Sequence, residues 1–267
     1  MPTSWPQWSH QTNGRQYWTE QGQRFPRSFF GAPTTEHYLA EEKRLFRRHF
    51  GDLRGKPLLK LDLWNEAQNT EILLWAVQQG AAGYGIDIAE TTVRKALARG
   101  RTLDIPLEIA VADASRLPFL DNSFECVYTM GTIEHLPDPG PALKELARVL
   151  KPGGTAIVGV PNRRDPFLFS VASYFLQALG RYPYGFERWY TNGELRRQLT
   201  DQGLRVVSRD GILFLPWWVR ILDLYLWISR PASCHVTRQL LVPFRILARF
   251  RGLARQFGYL TVCVARK

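Results

Sequence analysis

Cysteine is scarce: three residues in 267 (Cys126, Cys234 and Cys263), odd in number and never at CxxC spacing. That excludes a disulfide framework and a thiolate zinc site. No apolar run follows the polar opening MPTSWPQWSHQTNGRQYW, so no secretory leader is expected and a reducing, cytoplasmic setting follows. Internal repeats and low-complexity tracts are absent as well. Acidic residues are too few to balance the basic ones, 24 against 35, and the net charge of +11 turns attention to anionic partners. These could be a membrane surface, a nucleic acid or an acidic substrate. With 45% apolar and 22% charged residues, the composition is that of a folded globular chain.

The pattern along the chain divides it into four parts. Residues 1–50 read as an irregular arm followed by a helix. The rings of the arm (Trp5, Trp8, Tyr17, Trp18, Phe25, Phe29, Phe30) are costly to leave in water and are expected to dock. The helix is expected over 35–50, with Thr35 as its cap. Residues 51–211 form the core, in which short apolar runs at 57–63, 83–88, 107–112, 124–130 and 155–160 alternate with helical stretches near 67–79, 90–100 and 140–150. Such alternation implies a parallel sheet covered on both faces, with ligands at the carboxyl ends of its strands. Lys151-Pro152-Gly153-Gly154 reads as a helix stop, 165–179 as a further helix, and Thr191 with Glu194 as a capping box. Residues 212–257 are an aromatic, arginine-rich insertion between a strand near 204–209 and the last core strand, 258–267.

The block 111–162 carries Asp113-Ala114, Leu117-Pro118-Phe119, Asp121-Asn122-Ser123-Phe124, Glu134-His135 and Leu150-Lys151-Pro152-Gly153-Gly154. In combination it resembles the second half of a class I S-adenosylmethionine-dependent methyltransferase core, of the kind found among ubiquinone- and menaquinone-type small-molecule methyltransferases. Tyr84-Gly85-Ile86-Asp87-Ile88 is similar to the second strand of that family, and Trp189-Tyr190-Thr191 with Glu194-Leu195 to its helix after the core. The resemblance covers roughly residues 40–211. It implies an α/β, Rossmann-like, seven-stranded and mostly parallel sheet with helices on both faces and an antiparallel last strand. The implied cofactor is S-adenosylmethionine, with contacts at Asp62, Asn65 and Glu66 of the first loop, Asp87 and Ile88, Asp113 and Ala114, and Met130. An acid ending the second strand can accept two ribose hydroxyls, and Asp113 stands where the family contacts the adenine amino group.

The first loop departs from the family. Where a glycine-rich Asp-x-Gly-x-Gly-x-Gly lets backbone approach the cofactor, this chain reads Asp62-Leu63-Trp64-Asn65-Glu66-Ala67-Gln68. Two readings stay open: a variant clamp in which Glu66 and Asp62 neutralise the positive methionine end, or a closed site in a catalytically silent scaffold protein. His135, after the fourth strand, is the candidate general base, since an unperturbed imidazole suits proton transfer near neutrality; a packing role is the alternative. Related quinone methyltransferases hold a divalent ion with Glu-x-x-Glu-His. Here Gly131 replaces the first Glu, so no metal is expected.

Nucleic acid is the weaker partner. Met130-Gly131-Thr132-Ile133 has no Asn/Asp-Pro-Pro-aromatic segment, and much of the charge lies outside the core. The insertion holds seven arginines against one aspartate, with Trp217, Trp218 and Trp227. On one helix Arg238, Arg245 and Arg249 would share a face, giving a basic, aromatic element suited to peripheral contact with an anionic membrane on its inner side. Pro216, Arg220 and Asp223 interrupt 212–229 too often for a span of roughly 20 residues. A substrate cap or an interface in a homo-oligomer remains the competing role. The expected acceptor is a hydrophobic small molecule or lipid.

Overall fold

The computed structural model describes residues 14–23 and 28–267. Seven strands form one sheet in the order β3-β2-β1-β4-β5-β7-β6. They are β1 (Pro57–Leu61), β2 (Ala82–Asp87), β3 (Glu108–Val111), β4 (Phe124–Met130), β5 (Leu150–Pro161), β6 (Arg205–Ile212) and β7 (Leu260–Arg266). Neighbours among β1–β5 pair in parallel, and β7 runs antiparallel to both β5 and β6. The Rossmann-like, mostly parallel sheet expected from the resemblance is therefore present.

Alternate residues of β1 serve opposite faces of the sheet. Leu58 joins Phe46, Tyr128, Ile157 and Val262 in one core. Leu59 and Leu61 join Val127, Leu143, Leu146 and Val158 in the other. The first core lies under α2 (Pro33–His49), α4 (Ile72–Gln78) and α5 (Glu90–Thr102), and the second under α6 (Gly140–Val149) and α8 (Asn192–Asp201). The capping box is formed: the Thr191 and Glu194 side chains each accept from the other's backbone N–H.

Several local expectations need correction. The helix expected over 67–79 is two helices, α3 (Trp64–Gln68) and α4, because the chain turns between them with Glu71 at φ 60°. The arm is not irregular throughout: Gly14–Gln23 is helical (α1). Its rings do dock where described, with Trp18 edge-on to His135 at 4.8 Å, Phe29 buried and Phe30 under the Arg99 guanidinium; Trp5, Trp8 and Phe25 lie outside the described residues. Lys151–Gly154 does end a helix, but all four residues sit inside β5, with Gly153 at φ 78° supplying the turn. The helix expected from 165 is α7 (Phe169–Ala178), which begins after Leu168 at φ 59°.

The insertion folds as α9 (Trp217–Ser229), α10 (Cys234–Leu240), α11 (Val242–Leu247) and α12 (Arg251–Phe257). Arg238, Arg245 and Arg249 therefore do not share one helix face. Pro243 has no N–H to continue the α10 ladder, so the chain restarts at α11 and leaves Arg249 in the turn that follows.

Candidate active site

The register of the central strands sets the site. Leu61 pairs with Ile86 on one side and Thr129 on the other, so Asp62, Asp87 and Met130 stand level at one edge of the sheet. Asp62 adopts φ 75° and turns the chain out of β1. Its Oδ2 accepts from Thr132 Oγ1 at 2.9 Å, tying the β1 end to the β4 end. Asp87 Oδ2 accepts the Leu63 N–H and Oδ1 the Ala89 N–H, both at 2.8 Å. Burial raises the Asp87 carboxyl to about 6 against these two bonds. Ile88 is half-buried beside it. One strand further out, Asp113 is exposed and closes a tight turn onto the Ser115 N–H at 2.7 Å, with Ala114 buried next to it. The Met130 side chain leans over the neighbouring strand β5 and fills the space above Gly159, where a Cβ would fall 2.0 Å from its sulfur.

The first loop turns its polar side chains inward. Lys60, fully buried on β1, donates to the Asp62 carbonyl at 2.6 Å and pairs with Asp62 Oδ1 at 3.2 Å and Glu66 Oε2 at 3.1 Å. Glu66 Oε1 accepts the Leu73 N–H that opens α4. Asn65 donates to Glu42 on α2 and accepts from Asn69. Glu42 also accepts the Tyr128 hydroxyl at 2.6 Å. Burial lowers the Lys60 pKa, but Asp62, Glu66 and Glu42 outweigh it and hold the ammonium charged above its ordinary range. Burial pushes Glu42 up to about 7. The positive charge that Glu66 neutralises in the folded protein is therefore that of Lys60, beneath the loop. Trp64 is the loop's half-buried large side chain.

Past β4, a single 3-10 turn holds Ile133, Glu134 and His135. His135 Nδ1 donates to the Phe186 carbonyl at 2.8 Å, which makes Nε2 the acceptor of the neutral ring. Burial lowers its pKa to about 4, against the hydrogen bond to Phe186, so the ordinary titration expected for this histidine is not retained. Glu134 is buried, and burial together with Glu187 raises its carboxyl well above the usual range. An aromatic wall stands beside this turn. Phe169 stacks on Trp217 at 5.2 Å and meets Trp189 edge-on at 5.4 Å, while the Arg188 N–H donates to the Glu134 carbonyl.

Helix α1 crosses the edge. Thr91 donates to the Thr19 carbonyl, Lys95 to the Gly22 carbonyl, and Trp18 reaches His135. Its anchors lie beyond β2 and beyond β4, so it passes over the end of β1 between them. From the insertion, Arg220 donates to Thr34 at 3.3 Å and to Asn69 at 3.1 Å.

Sequence reasoning thus named Asp62, Asp87, Met130 and His135, which share one edge, and Asn65 and Glu66, which face away from it. It missed Lys60, Glu42, Thr132, Glu187 and Arg220. A readable signal existed for Lys60 alone: a lysine in the middle of the apolar strand PLLKLDL demands a buried counter-charge.

Comparison with known proteins agrees with this architecture. Residues 67–158 match the family model of the methyltransferase domain. A ubiquinone biosynthesis O-methyltransferase of Pseudomonas paraeruginosa is 32% identical over 146 residues, covering 52% of this chain and 62% of the relative. The chain thus spans about three-fifths of the length of the curated relatives it matches. Magnesium protoporphyrin IX methyltransferase from Synechocystis PCC 6803, solved with bound SAH, superposes with TM-score 0.58 at 13% identity over 96% of this chain and 94% of its own. The 4+2 cyclase SpnF superposes equally well, with TM-score 0.58 at 19% identity over 86% of this chain and 81% of its own, so the fold by itself does not determine a reaction. Residues 67–158 thus match the methyltransferase-domain family, and the sheet around them has the Rossmann-like fold of the solved S-adenosylmethionine-dependent methyltransferases.

S-adenosylmethionine is the cofactor of that family, and the local geometry can be tested against it. Large residues replace the three glycines, yet Glu66 and Gln68 are fully enclosed, and the Glu66 carboxylate is taken up beneath the loop. The Glu66 charge is therefore compensated within the fold, and Trp64 stands half-buried in the same loop. The residues present fit the cofactor.

Proposed function

We propose that this protein is an S-adenosylmethionine-dependent methyltransferase whose acceptor is a hydrophobic small molecule or lipid. The observation that carries this reading is the level placement of Asp62 and Asp87 at adjacent strand ends, above a loop whose charges are neutralised beneath it. In this reading Asp87, held rigid by the Leu63 and Ala89 amides, accepts the ribose hydroxyls. Asp113 and the Ala114 amide meet the adenine, and Asp62 with the backbone at Leu63–Asn65 faces the methionine end. The bound cofactor supplies an electrophilic methyl group, and the protein's own work is to orient the acceptor and exclude water. The half-buried rings of Phe169 and Trp217, stacked beside the β4 turn over the buried Trp189, support an apolar acceptor. So do the relatives named as ubiquinone biosynthesis O-methyltransferases, a name that implies a hydroxyl as the group methylated. Neutral His135 offers Nε2 to such a hydroxyl; with its basicity lowered by burial it is a hydrogen-bond acceptor that orients the group.

Titration calorimetry with S-adenosylhomocysteine tests the reading. The wild type should bind, and Asp87→Ala should weaken binding by about 1–3 kcal/mol through lost charge-assisted hydrogen bonds. Asp113→Ala, at an exposed turn, should weaken it without touching the core. No binding at millimolar ligand would overturn the proposal. It would favour a second reading, a catalytically silent scaffold, for which the replacement of all three loop glycines speaks.

A further inference from the structure

Two helices beside the candidate acceptor wall are built inside out. On α7 the buried residues are Ser170 and Ser173, while Val171 and Phe175 are 61% and 65% exposed, continued by Leu168 before the helix and Leu179 after it. On α9 the buried residues are Val219 and the polar Asp223, while Trp218, Ile221 and Tyr225 are 50–64% exposed. A helix facing water buries its apolar stripe and exposes its polar one. Here Asp223 is fully enclosed and accepts the Thr34 N–H at 2.7 Å, the Thr34 hydroxyl at 2.6 Å and the Thr237 hydroxyl, so the inversion is held in place. The two helices meet at their starts, where Phe169 stacks on Trp217 and the Trp217 indole donates to the Phe167 carbonyl. Phe167 in turn packs on Phe244 of α11, a helix with no buried residue and with Val242 and Ile246 exposed.

Charge identifies what covers this face. Asp223 of α9 and the acids flanking α7, Asp165 and Glu187, are buried, whereas Arg181, Arg230, Arg245 and Arg249 are exposed. An apolar face bordered by exposed arginines, with Glu36 of α2 paired to Arg238 of α10 nearby, is complementary to a phospholipid surface that carries negative charge. No helix among the described residues is long and apolar enough to cross a membrane, and α9 has 13 residues, so the contact lies in the plane of the interface.

We infer that the outward faces of α7, α9 and α11 dock on an anionic lipid bilayer. The inference extends the proposed function, because it brings the site to a surface in which hydrophobic acceptors dissolve. It also gives α9 two duties: its outer face meets lipid while Arg220, on its inner side, holds Asn69 of the first loop.

The experiment is co-sedimentation of the full chain with vesicles of phosphatidylcholine containing about a third phosphatidylglycerol, beside vesicles of phosphatidylcholine alone. The protein should pellet with the anionic vesicles at low salt and bind the neutral ones at least about tenfold less. Raising salt to about 0.5 M should release much of it, since the Debye length then falls well below 10 Å. Phe175→Ser with Tyr225→Ser, both exposed and outside the site, should weaken partitioning about tenfold or more, and Arg245→Gln with Arg249→Gln should reduce the preference for anionic lipid. Protein that stays in the supernatant with anionic vesicles at low salt overturns the inference. So does a stable dimer, without vesicles, that the Phe175/Tyr225 double variant dissociates, since a second copy would then own the face. S-adenosylhomocysteine affinity, measured separately, distinguishes failure here from failure of the methyltransferase reading.

Discussion

Replacing Lys60 by methionine removes the cation that pairs with the buried carboxyls of Asp62 and Glu66, with Glu42 close by. Met preserves most of the volume of a side chain that is 0% exposed, so the packing change is small. The electrostatic change is not. Breaking one side of a buried pair costs about 3–5 kcal/mol, and the Asp62 carbonyl loses a 2.6 Å donor, worth about 1 kcal/mol more. Against a total stability of about 5–15 kcal/mol this is a large fraction. The loss should grow between pH 5 and pH 8, because the stranded carboxyls can take up protons only at the acidic end. Adding Glu66→Gln removes the orphaned charge while keeping an acceptor for the Leu73 N–H at 2.9 Å. The double variant should recover about 2 kcal/mol relative to Lys60→Met alone. Urea unfolding followed by tryptophan fluorescence, with all four proteins analysed at a common slope, gives the coupling energy. Additivity within about 0.5 kcal/mol would mean that Lys60 and Glu66 do not depend on each other, against the pairing described above.

The buried carboxyl of Glu187, raised by burial from 4.5 to about 7, keeps its proton in the folded chain over a range where the unfolded chain releases it. Its favourable contribution is complete below pH 4.5 and is lost as pH rises through 7, about 3 kcal/mol in all. Glu187→Gln, still able to accept the Tyr182 hydroxyl, should therefore lose less stability than wild type between pH 5 and pH 8; equal losses in the thermal midpoint would contradict the assignment. Asp223→Ala leaves the Thr34 amide and two hydroxyls without their acceptor and should cost about 2–4 kcal/mol, with faster proteolysis near Thr34. An unchanged midpoint would show that these bonds do not hold α9 to α2.

Local pattern was enough to read the sheet and its edge. Alternating apolar runs announced β1–β5, and the acids that end β1 and β2 or follow β3 were legible because strand termini are local in sequence. The capping box at Thr191 and Glu194 was readable for the same reason, since its two partners are three residues apart. What lay outside that reach were pairings over long stretches of chain. Nothing in GRQYWTEQGQ says that this helix bridges Thr91 and His135, and nothing near Asp223 says that Thr34 will enclose it. The pair Lys60–Glu66 is close in sequence, yet whether Glu66 faces a cofactor or the strand beneath depends on how α3 settles between β1 and α2. The inverted faces of α7 and α9 are apolar in sequence whichever way they point. Strands, their terminal acids and the excess of arginine are thus properties of local sequence. Which side chains turn inward follows from packing, because burial and charge pairing are settled by contacts between segments that no local pattern links.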